Sequence, residues 1–122
     1  MAIPGRALTS AEREVLDVLL EPRFLGVEQL RAQLAHVVVV GRCKCGCPTI
    51  DLQVPATTTP AAIQERVSPV EAEILPSGEE TPGSILLFLD HGRLATLEYV
   101  YYGDKIPTLW PPRDRLRTTI HQ

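Results

Sequence analysis

A chain of 122 residues, 44% hydrophobic and with 5% aromatic residues, has room for one core built mainly of Leu, Val, Ile and Ala, and reads as a single domain over 1–122. The net charge of −3 argues against a general nucleic-acid binder, which would carry a basic face. No apolar run approaches the roughly 20 residues that cross a bilayer, Met1 to Thr9 lacks a signal-peptide apolar segment, and three cysteines within five positions cannot staple a fold; a protein of the reducing cytoplasm, without a membrane span, is expected.

Residues 1–8, with Pro4 and Gly5, read as a lead-in, and this segment and the tail 113–122 are expected to be flexible. Thr9-Ser10-Ala11-Glu12 has the form of a capping box, in which the Thr9 hydroxyl takes the N–H of Glu12 and the Glu12 carboxylate reaches back. The helix that follows aligns Ala11, Val15, Val18 and Leu19 on one stripe with Leu16 and Leu20 beside it. Glu12, Arg13, Glu14 and Asp17 are expected to face water. Pro22 ends the helix, because the residue before a proline avoids the α region. Val27 to Leu34 reads as a second short helix, with Val27, Leu30 and Leu34 inward and Glu28, Arg31 and Gln33 outward. Two helices on a tight link suggest a helix-turn-helix, but the second offers one arginine and no run of base-reading side chains, which excludes DNA recognition from the expectation.

The apolar run Val37–Val40 and the alternating Ile50-Asp51-Leu52-Gln53-Val54 read as strands around the turn Arg42-Cys43-Lys44-Cys45-Gly46-Cys47-Pro48. Pro55 to Pro60 is a breaker segment, and Ala61 to Arg66 is expected as one helical turn. A third strand spans about Val67 to Leu75. An acidic surface loop covers Pro76 to Gly83, and Ser84–Leu89, apolar on both faces, reads as the most central strand. Asp90-His91-Gly92-Arg93 is a hairpin turn and Leu94–Tyr102 a fifth strand, after which Leu109-Trp110-Pro111-Pro112 can lay Trp110 on the sheet. The expected fold is α+β: two N-terminal helices packed on one face of a mostly antiparallel sheet of about five strands, in the order ααβββββ with meander connections.

The cysteines are the first candidates for chemistry. Alternate positions 43, 45 and 47 share one face of an extended chain, and three thiolates with one histidine make a Cys₃His zinc site for which His36, His91 or His121 would be the fourth ligand. Against this, structural zinc sites use paired C-x₂₋₄-C spacings, and no second pair is present. A C-x-C pair can also exchange disulfides, or the thiols are simply part of a shaped turn. These readings stay open.

Asp90 and His91 are turn chemistry rather than an acid–base pair. No phosphate-binding Gly-rich loop, no G-x-S-x-G elbow and no H-E-x-x-H is present, and Ser84 has no evident base, so no enzyme is expected. Residues 65–105 carry eight acidic and three basic side chains, the one marked charge asymmetry. The carboxylate pairs Glu71/Glu73 and Glu79/Glu80 read as solvated charge. Tyr99, Tyr101, Tyr102 and Trp110 beside Glu98 and Asp104 form either an acidic, aromatic interface or the edge of the core.

Gly92-Arg93-Leu94-Ala95-Thr96-Leu97-Glu98-Tyr99-Val100, followed by Gly103-Asp104 and Pro107 to Pro111, is similar to a C-terminal pattern of small bacterial proteins, some assigned as immunity proteins of polymorphic toxin systems. The R-C-x-C-G-C-P element at 42–48 resembles one found in small proteins of this length. The resemblance implies a non-enzymatic binding role and brings no catalytic residues. Two functions follow as expectations. The first is a protein-binding module, an immunity-type inhibitor acting as monomer or homodimer on a basic protein partner. Glu71, Glu73, Glu98 and Asp104 would steer the partner, and Tyr101, Tyr102 and Trp110 would supply contact area. The second is a small zinc-binding or thiol-redox protein using Cys43, Cys45 and Cys47, with zinc the candidate cofactor.

Overall fold

The computed structural model describes residues 1–76 and 82–121; the expected Glu79/Glu80 pair and most of the acidic loop lie outside the described residues. The elements are β1 (Ala2–Arg6), α1 (Ser10–Leu19), α2 (Val27–Gln33), β2 (Val38–Arg42), β3 (Ile50–Gln53), β4 (Val67–Ile74), β5 (Gly83–Asp90), β6 (Arg93–Tyr101), a 3₁₀ turn at Arg113–Arg115 and β7 (Leu116–Ile120).

The capping box forms as its spacing requires: the Glu12 N–H donates to Thr9 Oγ1 at 3.2 Å, and the Thr9 N–H donates to the Glu12 carboxylate at 2.9 Å. Glu12 does not face water, however. It is 5% exposed, and its two oxygens accept from Arg6 of β1 at 2.9 Å each. Arg31 is likewise not idle on the surface, since it reaches back to the Leu20 and Glu21 carbonyls at 2.6 and 2.9 Å and closes the C-terminal end of α1.

The five-strand meander is replaced by a seven-stranded antiparallel sheet in the order β1-β2-β3-β6-β5-β4-β7, and the chain opens with a strand rather than with the helices. The protein is mostly β. The lead-in and the tail supply the two edge strands. Pro4 and Gly5 are compatible with β1 because an edge strand needs only one row of ladder donors, and Leu116-Arg117-Thr118-Thr119-Ile120 is rich in residues that suit a pleated strand and pairs with β4 along its length. The sheet is two antiparallel units joined side by side, with β3 meeting β6 at Ile50↔Leu97 and Asp51↔Thr96. Residues 54–66 carry the chain across, so β4 pairs on the far side of β5, and β6, not β5, is the middle strand. No helical turn forms over 61–66.

Both helices lie on one face, α1 toward β4 and β7 and α2 toward β6. Between helices and sheet sit Leu16, Leu19 and Leu30 against Val39, Val70, Ile85, Leu87 and Leu97, all fully buried. Gln33, expected to point outward, is 0% exposed. Its amide donates to the Thr59 and Gly92 carbonyls at 3.1 and 3.0 Å and accepts the Leu94 N–H at 2.9 Å, tying α2 to the β5–β6 hairpin. That hairpin turns through positive φ at His91 (50°) and Gly92 (78°). A Cβ on Gly92 would collide with the Ala61 carbonyl, so glycine is needed there for space as well as conformation. Among the described residues no helix is long and apolar enough to cross a membrane.

Candidate functional site

The β2–β3 hairpin ends in the cysteine turn. The ladder runs to Arg42↔Ile50, then the Cys43 N–H donates to the Thr49 carbonyl at 3.2 Å and the Gly46 N–H to the Cys43 carbonyl at 3.3 Å. Gly46 takes φ of 91°, which reverses the chain where a side-chain-bearing residue would be strained. The three cysteines therefore meet by curling of the turn rather than by sharing one face of an extended strand. Their sulfurs all lie within 4.8 Å of one another, with Cys43 and Cys45 sulfurs 2.8 Å apart, and all three thiols are free. Three sulfurs so placed can hold a metal ion. A tetrahedral zinc with Zn–S bonds of about 2.3 Å sets its sulfurs roughly 3.8 Å apart, and the spread from 2.8 to 4.8 Å brackets that distance.

The turn already favours a thiolate. Cys45 is exposed, and its sulfur accepts from the Cys43 thiol and from the Cys47 backbone N–H at 3.4 Å. These bonds hold Cys45 at about 7, below the ordinary thiol range, the Cys43 contribution being the larger. Cys43 gives up this proton less readily, and its own value is raised because it serves as donor to Cys45. Cys47 is the buried member of the set.

Tyr101 belongs to this site, although its aromatic character had suggested partner contact. It sits half-buried at the end of β6 with its phenol beside the sulfurs. Burial first, and then the negative charge of the cysteines, raise its pKa above the ordinary tyrosine value. Its sequence distance from the turn hid this role; β6 pairing with β3 brings the two together. Trp110 packs on Tyr99 with ring centroids 5.8 Å apart and lines a cavity of about 680 Å³ next to Cys43 and Cys47.

None of the three histidines joins the cysteines among the described residues. His36 is exposed after α2. His91 sits at the β5–β6 hairpin tip, bonded to Asp90 at 2.7 Å with both side chains largely exposed. His121 bonds Glu71 at 2.6 Å beside β7.

The acidic and aromatic residues divide between the two faces of the sheet. Glu71 and Glu98 lie on one cross-strand line of the outer face through Leu86, and Glu73 lies on the next line through Ser84 and Val100. Strand β7 and the residue after it partner part of this row, with Arg117 ion-paired to Glu73 and the His121 ring hydrogen-bonded to Glu71. The Tyr102 hydroxyl bonds Ser84 Oγ at 2.6 Å on that same face. Asp104 is exposed in the loop after β6. Tyr101 and Trp110 instead pack against the core on the helix side. Compared with protein-family models, with curated proteins and with solved structures, the chain matches none.

Proposed function

We propose that this protein binds a thiophilic divalent metal ion, zinc in the first place, through Cys43, Cys45 and Cys47. One observation carries the reading: a single hairpin turn gathers three sulfurs to metal-binding spacing, with one of them already inclined to ionise. Metal uptake displaces the remaining thiol protons, so affinity falls with falling pH. The Tyr101 phenol is suited to donate to a coordinated sulfur and damp its basicity, the usual task of a group just outside a metal's ligands. The test is native mass spectrometry and cobalt(II) titration of protein prepared without chelator. One metal per chain and a sulfur-to-cobalt absorption band are expected, both lost in Cys45→Ser with circular dichroism unchanged. Three free thiols and no cobalt band in the wild-type protein would refute it.

A second reading, protein binding of the immunity type without enzymatic activity, is supported by the outer sheet face, which no helix covers, and by Glu98 and Asp104, which have no ion-pair partner among the described residues. A basic partner would be steered there by charge. If Glu98→Lys with Asp104→Lys left the on-rate for such a partner unchanged, this reading would fail.

A further inference from the structure

Three protein donors leave a tetrahedral metal one position short, and zinc sites of this kind take an external ligand at the fourth corner. Among the described residues no histidine or carboxylate joins the three sulfurs to fill it. Beside Cys43 and Cys47 opens the cavity of about 680 Å³, a volume typical of small-molecule sites. Its wall has two chemistries. Trp110 and Leu109 are apolar, and Leu109 is 80% exposed without a covering group. Arg42 and Lys44 are cationic and immediately flank Cys43, and neither side chain makes a hydrogen bond or ion pair among the described residues, the Arg42 backbone alone bonding Met1. Arg6 also lines the cavity but is satisfied by Glu12.

The charges bear on which ligand fits. A divalent metal with three thiolates has formal charge −1, which repels an anion unless cations stand nearby. Arg42 and Lys44 stand there, and no carboxylate pairs with either side chain among the described residues. The −1 of the metal centre offsets one of these two cations at most, so a neutral or cationic ligand leaves positive charge uncompensated, whereas an anionic one uses it.

We propose that this cavity binds a small carboxylate-bearing thiol whose sulfur completes the coordination of the metal held by Cys43, Cys45 and Cys47. The proposal rests on the metal-binding reading above and adds the ligand class to it. On binding, the S–H proton of the thiol passes to solvent and its sulfur forms the fourth metal–sulfur bond; no oxidation or reduction takes place. The carboxylates meet Arg42 and Lys44, and the body of the molecule lies on Trp110.

The test uses the cobalt(II)-loaded full chain and three probes: reduced glutathione, S-methylglutathione and 2-mercaptoethanol. Glutathione is expected to intensify the sulfur-to-cobalt band and to bind about tenfold more tightly than 2-mercaptoethanol, the gain expected of two partly exposed charge pairs. S-methylglutathione, with the charge but no free thiol, should leave the band unchanged. The double variant Arg42→Ala, Lys44→Ala should still bind one cobalt while losing the tenfold preference. Equal affinity for the two thiols, an undiminished preference in the double variant, or extraction of cobalt by glutathione would overturn the anionic-thiol site while leaving three-cysteine metal binding in place. Absence of cobalt binding before any thiol is added would overturn both, and so distinguishes the two failures.

Discussion

Gln33→Leu tests whether the α2 amide holds the β5–β6 hairpin in place. Leucine has a similar volume and an equal or better helix propensity, so the change removes hydrogen bonds and little else. The Gly92 carbonyl retains the Ala61 N–H at 2.9 Å, and Thr59 is exposed, so neither acceptor is left isolated. The Leu94 N–H is different. It lies in a buried bond of 2.9 Å to Gln33, next to the point where the β5–β6 register slips between Phe88 and Leu89. An orphaned buried donor costs about 1–3 kcal/mol, and each of the two other bonds adds up to about 1 kcal/mol. Part of this is offset by the greater apolarity of leucine, which leaves a loss of about 2–3 kcal/mol. For a domain of this size that lowers Tm by about 10 °C. Urea unfolding should show a reduced midpoint with an unchanged slope, compared with Gln64→Leu at an exposed position, which should stay within about 0.5 kcal/mol of wild type. A loss below about 0.5 kcal/mol for Gln33→Leu would refute the role given to the amide.

Iodoacetamide should modify Cys45 first, with a rate midpoint at about pH 7, and Cys43→Ala should move that midpoint upward by removing the thiol donor; uniform labelling of all three cysteines, mapped by mass spectrometry, would count against the thiolate assignment. Glu12 is held below the ordinary carboxylate value: burial raises it, but the Arg6 bond and the Thr9 cap together outweigh burial. A depressed carboxylate stabilises the fold above its unfolded pKa, and the contribution is lost as pH falls through the folded value. Glu12→Gln should therefore cost about 1–2 kcal/mol at neutral pH, with the gap to wild type closing in acid below about pH 4. A gap that did not change between pH 7 and pH 3 would contradict that sign.

Much of the local structure is legible without coordinates. The Thr9–Glu12 box, the ends of both helices, the His91-Gly92 hairpin and the alternation along β3, β4 and β6 all rest on signals within a few residues of one another. The clustering of Cys43, Cys45 and Cys47 is of the same kind, since a turn of five residues can bring their sulfurs together with no help from the rest of the chain. What surrounds that turn is another matter. Glu12 and Gln33 are polar residues on helices, and nothing nearby in the chain says that Arg6 would cover one or that Gly92 and Leu94 would bond the other across the core.

The acidic row shows the same limit. Glu71 and Glu73 look like free charge until β7 is known to lie beside β4, which puts Arg117 and His121 on them. The sequence by itself determined where helices and turns begin and that three thiols share one turn, because short-range hydrogen bonds and spacing decide those. Only the tertiary structure decided that the two chain ends are edge strands, that Tyr101 stands next to the sulfurs, and that unpaired Arg42 and Lys44 line a cavity there. Strand order settles those points, and strand order depends on which unpaired edges meet across dozens of residues, a choice that no local pattern encodes.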